Sequence, residues 1–213
     1  MEQAVQTRPR SHIFAVFREA LGGSHRDFTE GDIRRAIVVL AIPMILEMIM
    51  ESLFGVVDMF FVARLGVDSL ATVALTESLL VLVFGVALGL SMATTAFVAR
   101  RIGEKDPEGA AVGAVQSIAV GLLISAIVGT LAILFAPHLL SLMGASDSVI
   151  RTGTAYTRIL LGGSVTIFML FLINGVFRGA GDPALAMRVL WLANGINIVL
   201  DPCLINGWDR SRA

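Results

Sequence analysis

Three carboxylates, Glu47, Glu51 and Asp58, stand inside a run of otherwise apolar residues. At about 100° per residue on a helix, Glu51 lies about 40° from Glu47, and Asp58 about 20° from it. The three therefore share one narrow stripe, which in lipid must face protein or water. A second polar set lies further on: Asn197 and Asp201 are one turn apart, and Asn194 is about 60° from Asn197. Pro202 follows directly and lacks an N–H, so the carbonyl of Ile198 one turn back goes unbonded. A carboxylate, an amide oxygen and a loose carbonyl are hard donors, of the kind that hold a small cation or trade a proton. Pro43 similarly frees the carbonyl of Val39 and marks a bend. Glu77, Tyr156 and Asn174 are further polar residues in or near apolar runs, and complete the candidate cavity lining with Glu47, Glu51 and Asn194.

Plainer readings stand beside these. Glu47 and Glu51 can reach headgroups at an interface, and Asp58 can be a loop-proximal carboxylate near Arg64. Asn194 and Asn197 can bond between helices with no ligand role. Soluble-enzyme chemistry is not visible. There is no G-x-x-x-x-G-K-[ST] loop, no H-E-x-x-H and no Ser/His/Asp set on one face. His12, His25 and His138 form no metal-ligand cluster, and the single Cys203 excludes an internal disulfide. The expectation is a protein that is not an enzyme and needs no cofactor.

The elements that must position these residues follow from composition. The chain has 213 residues, 56% hydrophobic and 15% charged, with a mean hydropathy of +0.82. A soluble domain carries about 25% charged residues, so lipid is the expected solvent. A net charge of −1 gives no case for a nucleic-acid partner. Residues 1–32 form a polar segment without a signal-peptide pattern. Within it, Ile13, Phe14, Phe17, Ala20 and Leu21 fall at helical spacing before Gly22-Gly23. They predict a short amphipathic helix on the membrane surface, with a partly ordered tail as the alternative. Five apolar spans follow, over about 36–62, 71–99, 110–136, 154–177 and 184–205, each long enough to cross ~30 Å of hydrocarbon. Short Gly, Pro and acidic connections separate them. Gly85, Gly89, Gly113, Gly121 and Gly129 read as helix-contact positions, and Ser125 as packing. With the N-terminus in the cytoplasm, eleven Lys and Arg lie on that side and five on the other, which predicts that orientation in a multi-pass protein of the cytoplasmic (inner) membrane.

Three stretches then carry a resemblance. They are Ala41-Ile42-Pro43 leading to Val57-Asp58-Met59-Phe60-Phe61-Val62-Ala63-Arg64-Leu65-Gly66; Phe177-Arg178-Gly179-Ala180-Gly181-Asp182-Pro183; and Asn197-Ile198-Val199-Leu200-Asp201-Pro202. Together they resemble the multidrug and toxic compound extrusion (MATE) transporters, over about residues 33–205. The resemblance implies two six-helix lobes around a central cavity, and export of cationic or amphipathic compounds in exchange for H⁺ or Na⁺. It places Asp58, Asn197 and Asp201 on the cation site, as proton carriers or Na⁺ ligands, and Tyr156 and Asn174 on the lining of the same cavity. Glu47, Glu51 and Glu77 lie outside the general family pattern. The expected fold is all-α and integral to the membrane, with five transmembrane helices forming an incomplete six-helix N-terminal lobe. The polar tail 206–213 is expected to be the aberrant end of a truncated chain, whose partners would be a missing C-terminal half or a second copy. A lipid-linked oligosaccharide or polysaccharide flippase and a membrane-anchored accessory protein are the alternatives.

Overall fold

A computed structural model describes residues 10–22 and 32–205, leaving aside the side chains of residues 10–15, 201, 202, 204 and 205. The tail 206–213 and the side chains of Ile13 and Phe14 thus lie outside the described residues. The elements are α1 (Arg10–Gly22), α2 (Ile33–Val62), α3 (Val67–Gly103), α4 (Pro107–Leu142), α5 (Asp147–Gly162), α6 (Ser164–Gly179) and α7 (Pro183–Ile205), with a 3₁₀ turn at Ala63–Leu65 after α2. Among the described residues, five helical stretches are long and apolar enough to cross a membrane; α5 and α6 together make one of them. The family of folds expected from the apolar runs is therefore the one observed.

Helix starts follow local chemistry. Asp32 caps α2 by accepting from the Arg34 N–H, and Asp106 caps α4 by accepting from the Gly109 N–H at 2.8 Å, with Pro107 in the first turn. Between α3 and α4, Arg100 Nε donates to Glu104 at 2.8 Å. That bond, with Arg101 close by, holds the exposed Glu104 carboxyl below the usual carboxylate range. Between α6 and α7, Gly181 takes φ +88°, a conformation L side chains resist.

The helices are packed inside out relative to a soluble bundle. Along α4 the buried positions are small (Ala110, Gly113, Gly121, Ser125, Gly129, Ala132) except Leu140 near its end, whereas Val115, Leu123, Ile127 and Leu134 are exposed. Between helices in lipid the hydrophobic effect gives no drive, so small residues that admit close approach do the packing. The α3–α6 contact shows this best. A Cβ on Gly179 would stand 2.7 Å from the Thr95 carbonyl. Ser91 and Thr95 hydroxyls donate across the contact to the Phe171 and Gly175 carbonyls, at 2.6 and 2.9 Å. Phe168 and Leu172 fill the remaining space, both fully buried.

Two groups of helices result. Helices α3, α4, α5 and α6 pack on one another, and α2 packs along α7 with α1 across their starts. Trp191 on α7 donates to the Leu46 carbonyl on α2 at 3.2 Å. The α1 helix is tied down by Glu19 to Arg35 at 2.6 Å and by Arg188 donating to the Leu21 carbonyl. The backbones of α2 and α6 do not approach each other, so a cleft separates the two groups.

Three details depart from the sequence expectation. The fourth span is not one helix: it breaks at Gly162-Gly163, where Gly163 ends α5 and Ser164 begins α6. Hydropathy is continuous there, so the run of apolar residues hides the break. The third span, α4, does not stop at Ala136 but passes Pro137 and ends at Leu142, taking His138 with it. Pro137 leaves the Ile133 carbonyl without its helical N–H, and Arg158 Nε from α5 donates to that carbonyl at 3.1 Å. Finally, Gly85 and Gly89 meet no neighbour, so they are not helix contacts within this chain, whereas Gly113, Gly121 and Gly129 abut Phe97, Leu172 and the Gly162 carbonyl.

Candidate functional site

Two cavities lie in the cleft, one above the other along α2. The first, of about 350 Å³, is walled by Asp58 and Val62 of α2, Ser69 and Thr72 of α3, and Gly153 and Tyr156 of α5. The approach of α3 to α5 that forms it depends on Gly153, since a Cβ there would fall 2.5 Å from Thr72 Oγ1. One turn deeper, the fully buried hydroxyls of Thr76 and Thr157 bond each other at 2.9 Å and fix the two helices in register. Asp58 is half-buried and interacts electrostatically with both Glu77 and Tyr156. Three helices thus bring two carboxylates and a phenol to one place. The Arg64 guanidinium lies over the Phe60 ring, 4.5 Å from its centre.

The second cavity, of about 430 Å³, has Glu47 and Glu51 of α2 on one side and Asn174 and Arg178 of α6 on the other. Met44, Met48, Phe84, Leu88, Phe171 and Leu190 supply apolar walls. Glu47 is buried and ion-paired to Arg178, with side chains 7% and 18% exposed. The pair crosses the cleft where the backbones stand apart. It is incompletely satisfied: Glu47 Oε2 and Arg178 Nε have no hydrogen-bond partner, and neither does the buried Asn194 Nδ2.

The acidic stripe read on α2 is therefore divided. Glu47 and Glu51 belong to one cavity and Asp58 to the other. Tyr156 and Asn174, expected on one shared lining, separate in the same way, Tyr156 with Asp58 and Asn174 with Glu47. The cause is height. Glu47 and Asp58 are eleven residues apart, about 16 Å along the helix, so a shared face meets different neighbours at each level. Glu77 is exposed, beside Asp58. Asn197 is exposed on α7 and lines neither cavity. The side chains of Asp201 and Pro202 lie outside the described residues, although α7 continues through both. Pro43 is buried within an unbroken α2.

Arg178 is the cavity-lining residue that sequence reasoning missed. In the sequence it reads as the start of the connection between the fourth and fifth spans, because Gly179-Ala180-Gly181 follows it. The available signal was a carboxylate surplus within the spans, which demands a buried cation somewhere.

The MatE family model matches residues 43–203. The multidrug export protein MepA of Staphylococcus aureus (strain MRSA252) is 22% identical over 184 residues, covering 85% of this chain and 41% of that protein. The probable multidrug resistance protein YoeA of Bacillus subtilis (strain 168) is 27% identical over 174 residues, covering 81% of this chain and 38% of that protein. Among solved structures, a MOP superfamily transporter from Pyrococcus furiosus superposes with a TM-score of 0.78 at 36% identity, over 83% of this chain and 39% of its own. A multidrug resistance MATE family transporter in an outward-facing conformation gives 0.77 at 34% identity, over 89% of this chain and 40% of its own. The chain spans about 40% of the length of these relatives. With more than half of its residues inside the family match, the chain belongs to the MatE family, the multidrug and toxic compound extrusion transporters that its motifs resemble.

Proposed function

We propose that this chain supplies the coupling helices of an antiporter that exports cationic or amphipathic small molecules in exchange for H⁺ or Na⁺. The observation that carries the reading is Asp58, a carboxylate within a span, lining a cavity and interacting with Glu77 and Tyr156. Two neighbouring carboxylates repel, and a proton or Na⁺ between them relieves the repulsion. Such a cation draws α2 toward α3 and α5, whereas its departure lets the cleft widen. Cation and exported compound then favour opposite states of one cleft, which is the thermodynamic requirement of exchange.

The register of α7 supports adding Asp201 to this site, and the family resemblance adds Asn197, one turn before it. Both α2 and α7 run the same way, and Trp191 bonds Leu46. Ten further residues carry α7 about 15 Å, to roughly the height of Asp58 on α2. The resemblance to MepA and YoeA, both named for multidrug export or resistance, supports the substrate class. Arg178, the basic residue lining the second cavity, is occupied by Glu47, which weighs against a flippase for phosphate-bearing lipids. The remaining helices of the exporter come from the rest of a longer chain or from a partner copy.

The test is efflux from vesicles holding the full-length transporter, under an imposed H⁺ or Na⁺ gradient. Asp58→Asn should abolish gradient-driven efflux and leave membrane insertion intact. Undiminished efflux in that variant, or flux indifferent to both gradients, overturns the reading.

A further inference from the structure

The end of the bundle where α1 crosses the starts of α2 and α7 is basic, and the proposed exchange makes no use of it. Among the described residues, arginines from three helices meet there: Arg18 on α1, Arg34 and Arg35 on α2, and Arg188 on α7. Two of them tie the helices together. Arg35 bonds Glu19 at 2.6 Å, and Arg188 donates to the Leu21 carbonyl in the last turn of α1, where a helix leaves its carbonyls without an N–H. The nearby carboxylates are engaged as well: Glu19 by Arg35, Asp32 by the Arg34 N–H, and Asp182 by the Leu185 N–H. Arg18 and Arg34 are exposed, and among the described residues their guanidinium groups have no hydrogen-bond or ion-pair partner. Arg18 precedes Glu19 and Arg34 precedes Arg35, so the bond between the latter two brings the backbones of both to one corner.

We propose that this corner is a binding site for one anionic phospholipid, with Arg18 and Arg34 on its phosphate and its acyl chains along the outer face of α2. The charge is complementary, since every described carboxylate at the corner is already engaged and two guanidinium groups are left over. A guanidinium matches a phosphate with paired, charge-assisted hydrogen bonds. The apolar surface is continuous with the charge. Val38, Ile45 and Ile49 are exposed, lie within about 60° of Arg34 around α2, and line neither cavity. Arg34 stands in the first turn of α2, where the apolar run begins, which is the depth of the headgroups for a helix that crosses a bilayer. An acidic protein segment would meet the two arginines but leave the apolar row in want of a partner; a phospholipid meets both. The role of α1 follows. Its ties through Glu19 and Leu21 carry Arg18 to the start of α2 and hold a second guanidinium beside the first, so the helix completes a site that α2 alone would present by half.

The experiment titrates phosphatidylglycerol and phosphatidylcholine of identical acyl chains onto the purified full chain in detergent and counts bound lipids by native mass spectrometry. The wild-type protein should retain phosphatidylglycerol in preference to phosphatidylcholine. The joint variant Arg18→Gln with Arg34→Gln should weaken phosphatidylglycerol by about tenfold or more and leave phosphatidylcholine unmoved. Both arginines are exposed, so the variant is not expected to disturb folding. The control is Arg100→Gln with Arg101→Gln, which removes as much charge at the end of α3, on the same side of the bundle, from arginines already paired with Glu104 and Asp106. It should keep phosphatidylglycerol affinity within about threefold. Equal losses in the two joint variants would assign the attraction to the charge of the whole face and overturn the site. Equal wild-type affinity for the two lipids overturns it too. So does displacement of phosphatidylglycerol by millimolar glycerol phosphate, which would make the occupant a soluble phosphate rather than a lipid.

Discussion

The Glu47–Arg178 pair ties α2 to α6 across the cleft, and its removal has a calculable signature. At about 4 Å and an effective dielectric near 20, a unit-charge pair is worth about 4 kcal/mol. Deleting one partner of a buried pair typically costs about 3–5 kcal/mol, because the other charge is left uncompensated. The two single variants should not be equal. Arg178 sits in the last turn of α6, is 18% exposed, and has a long stem that can carry its charge toward the helix end. Glu47 is 7% exposed in the middle of α2 and has no such escape. Arg178→Gln should therefore cost about 3–5 kcal/mol, and Glu47→Gln about 1–2 kcal/mol, the loss of a charge-assisted hydrogen bond. The double variant leaves no buried charge and should cost less than Arg178→Gln alone. Unfolding in mixed micelles, followed by Trp191 fluorescence in a Trp208→Phe background, reads this directly, since Trp191 bonds the α2 carbonyl of Leu46. If the double variant costs the sum of the two singles, the side chains act independently and the cross-cleft bond is refuted.

Three further expectations concern the scaffold. Gly153→Ala should drive α3 from α5, because the new Cβ falls 2.5 Å from Thr72 Oγ1; a loss of about 1–3 kcal/mol in micellar unfolding is expected, and an unchanged transition would show that the helices have room to spare. Arg158→Ala should cost about 0.5–1.5 kcal/mol by removing the partner of the Ile133 carbonyl. In a Pro137→Ala background, where the helical N–H returns, the same change should cost almost nothing, so equal costs in the two backgrounds would refute the bond's role. At the α3–α4 turn, the Arg100 bond lowers the folded-state value of Glu104 below 4.5. Its stabilising contribution is then present above the unfolded value and disappears as pH falls through the folded one. Amide protection at Lys105 and Asp106, taken relative to the intrinsic exchange rate at each pH, should fall below about pH 4.5, and Glu104→Gln should remove that acid dependence; a variant with the same profile would assign the effect to another group.

How much of this was legible in the sequence depends on the kind of signal. The spans were, because a 20-residue apolar run has one common meaning. The break at Gly162-Gly163 was not, because both sides are equally apolar and only the packing of Gly129 against the Gly162 carbonyl distinguishes it. Within the candidate site, Glu47, Glu51 and Asp58 were legible as charges in the wrong solvent, and their common face was sound geometry. That face did not make one site. A helical wheel projects away height, and α2 meets α5 at Asp58 but α6 at Glu47.

The same projection explains Arg178. Charge balance along α2 alone required a cation near Glu47 or Glu51, but 131 positions separate Arg178 from Glu47 in the chain, and no local pattern connects them. The connection is made by the α3–α6 contact, where Gly175 and Gly179 let α6 sit close enough to α3 to point its last turn across the cleft. Those two glycines and Arg178 lie within one five-residue stretch. Read as a turn signal, the stretch marks only the end of a span; read with its packing, it sets both the helix position and the charge. A Gly175→Ala change should therefore reach Glu47 without touching it. With the new Cβ 2.9 Å from the Ser91 carbonyl, α6 must shift, and Glu47→Gln should then cost less in that background than in the wild type. Equal costs in unfolding would mean that Arg178 finds Glu47 whatever the placement of α6, and that the pair is set by the reach of the arginine rather than by the fold.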